Sequence, residues 1–151
     1  MIPIAHNMME KIRDHAVSEY PFECCGLIIG KVDSDAEDIL RRCKNIQNTL
    51  HAKDPETFTR DARTAYYIDP KELMDIFRET EGRVLVVKWF YHSHPDHGAY
   101  FSEEDRRMAL FDEEPLYPQA NYLVVSVYDR KVKDEAFFSW DPETRTFPRK
   151  N

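Results

Sequence analysis

The chain has no apolar run approaching the roughly 18 residues of a membrane-spanning helix, which argues against a membrane-spanning role. It has no stripe of lysine and arginine either. Its 21 basic residues face 28 acidic ones, for a formal net charge of -7 and a pI of about 5.4. That balance argues against nucleic acid or an anionic membrane as the main partner. Cysteine is scarce: Cys24, Cys25 and Cys43 cannot form a disulfide framework and are expected to be buried thiols in a reducing cytoplasm. A structural zinc site built on them would need a fourth ligand that the sequence does not obviously supply. The opening segment Met1-Ile2-Pro3-Ile4-Ala5-His6 does not read as a signal peptide, because Glu10 and Asp14 interrupt any apolar region. Repeats and low-complexity segments are also missing.

What remains is a globular composition. At 151 residues, with 42% hydrophobic and 13% aromatic residues, the chain is long enough for one domain with a real core. Residues 4–19 read as an amphipathic helix with Ile4, Met8, Ile12 and Ala16 on one face. Strands are expected at about 25–31 and 38–44, turning at Asp33-Ser34-Asp35. Residues 45–66 are polar and hard to read, and a segment of that length is expected to border a functional groove. Pro70 opens a helix over about 70–80, closed by Gly82. An apolar, β-branched strand covers 83–91, a helix 103–111, and strands about 121–128 and 135–140 meet at Asp129-Arg130-Lys131. Helices alternating with apolar strands predict a mixed sheet with helices packed on it.

The chemistry concentrates in His92-x-His94-x7-Ser102-x-x-Asp105. If the strand continues through His94, side chains two apart share a face, so both imidazoles project together while Ser93 points away. Pro95 lacks an N–H and would end the pairing. Ser102 reads as a helix N-cap before Glu103, Glu104 and Asp105. Folding that helix start back onto the strand end brings two nitrogens and one carboxylate oxygen together. Three protein ligands leave a fourth zinc position for water, the mark of a catalytic site, and zinc lowers the pKa of that water to roughly 7. A general base that is not a ligand is still required, and Glu23, just before a short apolar strand, is the best candidate by position. Each piece alone is bland. A His-x-His pair is common on surfaces and in cores, Ser-x-x-Asp is an ordinary helix start, and an isolated Glu23 would be a solvated turn residue. His97 and Asp96 read as loop residues, His97 close enough to touch substrate; His6, His15 and His51 are expected to have no catalytic role.

At these residues the chain resembles the JAMM (MPN-plus) metalloproteases, whose signature is an upstream Glu, then H-x-H-P, seven residues between the second His and a Ser, and two more before an Asp. Every position matches: Glu23, His92, His94, Pro95, Ser102 and Asp105. The segments Glu23 to Gly30, Cys43-Lys44-Asn45, Tyr67-Ile68-Asp69-Pro70 and Tyr122 to Val127 are similar to those of single-domain bacterial members. The resemblance implies an α/β (α+β) fold over residues 1–151: a mixed β-sheet flanked by helices, MPN-like and cytidine-deaminase-like. It implies zinc bound by His92, His94 and Asp105, Glu23 as general acid/base, and Ser102 stabilising the oxyanion. It also implies a peptidase acting after the C-terminal Gly-Gly of a ubiquitin-like or sulfur-carrier protein. The tail is expected to add as a strand beside the one carrying the histidines.

Three rivals stand beside this reading. A non-catalytic MPN scaffold typically lacks the ligands that are present here. A zinc hydrolase of small-molecule amides would use the same metal chemistry. The related family associated with DNA repair carries Asn between the histidines, where this chain has Ser93. A protease built on Cys24 or Cys25 is disfavoured, since the nearest histidines are committed to metal.

Overall fold

A computed structural model of the chain describes residues 3–151; Met1 and Ile2, part of the opening segment read above for a leader, lie outside the described residues. Five strands form one mixed sheet in the order β2-β1-β3-β6-β7. The strands are β1 (Cys25–Gly30), β2 (Ile39–Cys43), β3 (Val86–Pro95), β6 (Asn121–Tyr128) and β7 (Lys131–Ser139). A separate short ribbon pairs β4 (Leu110–Phe111) with β5 (Glu114–Pro115). The helices are α1 (His6–Glu19), α2 (Gln47–Lys53), α3 (Pro70–Glu81) and α4 (Glu103–Ala109). The mixed sheet flanked by helices is the architecture that the alternating pattern predicts. Among the described residues, no helix is long and apolar enough to cross a membrane.

The pleat sorts the core into two layers. Met9, Ile12 and Ala16 of α1 pack with Ile28, Trp89, Tyr91, Leu123 and Val125 on one face. On the other, Leu27, Phe90, Tyr122, Val124 and Phe138 meet Ile76 and Leu73 of α3. A bulge opposite Ile28 and Ile29 resets the pleat after Val87; from Trp89 onward successive residues alternate between α1 and α3, and the even-numbered ones, His92 and His94 included, fall on the α3 side.

β3 and β6 are parallel while every other pairing in the sheet is antiparallel. A parallel pair cannot be joined by a tight turn and requires a crossover. That crossover is residues 96–120, and it carries α4. The helix is thereby brought back across the end of β3, which is what the site needs.

Several boundaries differ from the sequence expectation. The strand predicted at 83–91 runs from Val86 to Pro95. Arg83 and Leu85 instead donate to the carbonyl of Thr80 and wrap the end of α3, leaving Val84 exposed at φ 55°. The buried stripe of α1 is centred on Met9, Ile12 and Ala16, with Ile4 and Met8 only partly covered. Residues 45–66 contain α2, which the polar composition hides. The helix predicted to reach 111 stops at Ala109, where the chain enters β4. The last strand starts four residues early, at Lys131, because Asp129 and Arg130 both adopt positive φ (49° and 60°) and close a two-residue hairpin.

Candidate active site

The end of β3 delivers both imidazoles. His92 pairs with Cys25 of β1 and Val124 of β6, and His94 with Ser126 of β6, so the strand is held on both sides as it reaches the site. Ser93 points to the opposite face, where its Oγ accepts the Cys24 N–H at 2.8 Å. After Pro95 the loop is tied to β6: Asp96 N–H donates to the Val127 carbonyl at 2.8 Å, and Ser126 Oγ donates to the His97 carbonyl at 2.6 Å. The loop returns the Gly98 carbonyl to His94 Nδ1 at 2.8 Å. That contact requires the proton on Nδ1 and turns the Nε2 lone pair inward.

α4 supplies the carboxylate through its own N-terminus. Ser102 Oγ accepts the Asp105 N–H at 3.0 Å, and Asp105 Oδ2 accepts the Ser102 N–H at 2.9 Å, a reciprocal capping box. Asp105 is thus locked in orientation by the same contacts that start the helix. Its Oδ1 stands 3.0 Å from His92 Nε2 and its Oδ2 3.2 Å from His94 Nε2, while the two Nε2 atoms are 3.2 Å apart.

Glu23 enters from the segment before β1. Its N–H donates to the Ala62 carbonyl at 2.7 Å, and its carbonyl accepts Asn45 Nδ2 at 2.9 Å. One ligand-type atom from each of Glu23, His92, His94 and Asp105 lies within 4.8 Å of all the others, and all four residues are buried. Glu23 Oε1 and His92 Nδ1 have no hydrogen-bond partner.

This donor set fits a divalent metal. Ligands about 2.0–2.1 Å from one zinc at tetrahedral angles stand about 3.3 Å apart, close to the 3.0–3.2 Å edges of the His92, His94 and Asp105 triangle. With the Gly98 contact fixing the proton of His94 on Nδ1, a lone pair and not a proton faces the other two atoms, so a cation completes the cluster better than internal hydrogen bonds. Protonation states agree. Burial holds the His92 imidazole below its ordinary pKa, in the neutral form that a metal ligand needs. Burial works against ionising Asp105, but the facing His92 and His94 outweigh it and hold its carboxyl well below the usual value. Burial, then the charge of Asp105, push Glu23 well above the ordinary carboxyl range.

The structure also brings in residues that the motif does not contain. Tyr66 stacks on His92 with ring centroids 4.6 Å apart. His97 stacks on His94 at 4.1 Å, and Tyr100 packs edge-on to it at 5.0 Å. His97 is thus a wall of the site, and burial followed by the neighbouring His94 lowers its pKa to about 4. No sequence signal marked Tyr66, which belongs to the unread 45–66 segment. In the same segment Arg60 lines two clefts, one shared with Glu104 and Met108 of α4 and the other with Pro95, His97 and Tyr100. One expectation fails. β3 is a central strand paired with β1 and β6, and Ser93 N–H also donates to the Cys24 carbonyl. A substrate tail therefore cannot add to it as a new strand.

The family model for prokaryotic homologs of the JAB domain matches residues 5–141. The chain belongs to that family. Among curated relatives of this JAB-domain chain, the desampylase of Haloferax volcanii is 29% identical over 130 residues, covering 85% of this chain and 80% of the relative. The CysO-cysteine peptidase of Mycobacterium tuberculosis is 27% identical over 129 residues, covering 85% and 75%. A solution structure of a protein from Salinibacter ruber superposes with a TM-score of 0.62 at 28% identity, covering 99% of this chain and 89% of that one. A protein from Desulfitobacterium hafniense, at 23% identity and a TM-score of 0.70 over 99% and 90% of the two chains, shares the fold.

Proposed function

We propose that this JAB-domain chain is a zinc metallopeptidase that hydrolyses the amide or isopeptide bond after the C-terminal Gly-Gly of a ubiquitin-like or sulfur-carrier protein. The observation that carries this reading is the convergence of His92, His94 and Asp105 on one point, with a buried, unpartnered Glu23 carboxylate oxygen beside it. His92, His94 and Asp105 would hold the zinc, and a bound zinc supplies a Lewis acid and a water of lowered pKa. Glu23 takes the proton of the attacking water and returns it to the leaving nitrogen. Its raised pKa suits both halves of that transfer. Ser102 Oγ accepts from Asp105 N–H, so its own hydroxyl proton is available to the oxyanion.

The substrate class rests on the names of the relatives and on the shape of the site. Tyr66, His97 and Tyr100 wall the cluster closely, which favours a Gly-Gly backbone over bulky side chains. An apolar cavity of about 300 Å³, lined by Tyr66, Phe90, Met108, Leu116, Tyr117 and Tyr122, continues from Tyr66 along α4. It suits the side chains preceding the two glycines. With β3 closed to strand addition, that groove becomes the seat of the tail. The proposal takes the whole chain as one catalytic domain working in the cytoplasm on a protein substrate.

The test joins metal content to cleavage. Purified protein should carry one zinc per chain, and a His92→Ala/His94→Ala variant should lose it. Intact mass should show release of whatever follows Gly-Gly on a ubiquitin-like carrier, and changing the second Gly to Val should abolish it. Full zinc occupancy in the double variant would overturn the ligand assignment. Equal cleavage of Gly and Val tails would point to a small-amide hydrolase.

A further inference from the structure

The clefts around the cluster are rich in charge, and nearly all of it is already paired. Arg63 is bidentate to Asp61 at 2.7 and 3.1 Å. Arg107 is held by Glu104 at 2.7 Å and Arg106 by Glu113 at 3.2 Å. Asp96 accepts the Tyr20 hydroxyl at 2.5 Å. Arg60 differs: among the described residues, no carboxylate stands within ion-pair distance of its guanidinium. Its backbone is nevertheless fixed, since its carbonyl accepts Gln47 Nε2 at 2.8 Å and the following residues carry Ala62, which pairs with both Glu23 and Asn48.

Arg60 also stands at a junction. It lines the cleft that runs past Tyr67 and Met108 to the apolar groove along α4. It equally lines a second cleft of about 560 Å³ between Pro21 and the His97–Tyr100 wall. Two residues on, the Ala62 carbonyl accepts the Glu23 N–H at 2.7 Å, which ties this stretch to the cluster. If the acyl tail occupies the apolar side, the leaving group occupies the second cleft. Within that cleft Arg60 is the cation without an anion.

Resting on the peptidase reading above, we infer that Arg60 recognises a free α-carboxylate on the leaving group, so that the site prefers to release one terminal amino acid rather than a lysine-linked protein. The geometry suits this step. In a single-residue leaving group the carboxylate carbon lies three bonds, roughly 3–4 Å, from the scissile carbonyl carbon, which keeps the anion near the scissile bond, and Arg60 lines the cleft assigned to that leaving group. A guanidinium matches a carboxylate with two parallel N–H···O bonds. An isopeptide-linked lysine in a protein chain offers no such anion at that spacing.

The probe is an N-acetylated octapeptide ending in Gly-Gly-Ala, made as the free acid and as the C-terminal carboxamide. Binding is measured by calorimetry on zinc-loaded Glu23→Gln protein, which need not turn over. The acid should bind roughly 10- to 100-fold more tightly than the carboxamide, the range for hydrogen bonds to a charged group. Adding Arg60→Met should bring the acid down to the carboxamide's affinity, and Arg60→Lys should restore part of the difference. Equal affinities of acid and carboxamide for the Arg60-containing protein overturn the inference. A preference for the acid that survives Arg60→Met also overturns it, because the carboxylate is then held elsewhere, as by the metal. If the acid preference tracks Arg60 but Glu23-containing protein cleaves no carrier tail, the carboxylate site stands and the peptidase reading falls.

Discussion

Two buried polar constellations sit at the two ends of β3, on opposite faces of the sheet, and they are built on opposite logic. Near its start, Lys88 and Asp38 are each about 8% exposed. Lys88 Nζ donates to Asp38 Oδ1 at 2.8 Å, Asp38 Oδ2 at 3.0 Å and the Ser34 carbonyl at 2.9 Å, which accounts for the acceptors a lysine ammonium needs. Gly30 leaves room for this pair; a Cβ there would strike the Asp38 carboxylate. At the other end of the strand, the cluster of Glu23, His92, His94 and Asp105 is equally buried but unbalanced. It has acceptors facing acceptors and two atoms without partners. A buried charge that the chain satisfies by itself ties the fold together. A buried group that the chain leaves unsatisfied implies something from outside, because desolvation without a partner is costly.

Substitutions at the two ends should separate these roles. Glu23→Gln should keep zinc content and melting temperature while lowering turnover of a carrier tail by about 10²–10⁴. Near-normal turnover would erase the contrast and move the proton transfer to Glu103 or Glu104. Lys88→Met should do the reverse, costing roughly 3–5 kcal/mol in denaturant melts by stranding Asp38, with activity per folded molecule retained. The Lys88→Met/Asp38→Leu pair should recover most of that loss, and failure to recover would mean that the pair does more than satisfy itself.

His15 gives a smaller, third case. It is buried against Tyr91, with its Nδ1 2.8 Å from the Tyr91 hydroxyl. Burial, then Arg42, lower its pKa to about 4. A histidine depressed below its unfolded value near 6.5 binds fewer protons folded than unfolded as pH falls. Its contribution to stability is therefore complete above about pH 6.5 and is lost between there and about pH 4. Thermal melts across this window should show a loss that is smaller in His15→Gln by on the order of 1 kcal/mol, the remainder coming from His92 and His97. A parallel pH profile in the variant would assign the drop to other groups.

Much of this was legible from local pattern. The alternation of β3 put His92 and His94 on one face and Ser93 on the other, because a pleat has period two wherever the strand lies. The helix cap was readable from Ser102 and the acidic residues after it, since a cap needs only a helix start; the reciprocal bond from the Ser102 N–H to Asp105 came from the structure. Glu23 was the best general-base candidate by position, and the resemblance to the JAMM signature tied it to the same site across 69 residues.

By itself, then, the sequence determined most of the elements, though not α2 or the β4–β5 ribbon, together with the mixed-sheet class and a four-residue cluster able to hold a metal, all of which rest on short-range periodicity or on a motif with fixed spacing. Tertiary structure decided the remainder. Parallel pairing of β3 with β6 forced residues 96–120 into a crossover and swung Asp105 over the strand end. Hydrogen bonds that tie the polar 45–66 segment to Glu23 through Asn45 and Ala62 set Tyr66 against His92 and Arg60 at the junction of two clefts. The central place of β3 in the sheet closed the edge that a lone strand would have offered to substrate. These outcomes depend on contacts between residues far apart in the chain, whose partners have no periodicity by which a sequence could announce them.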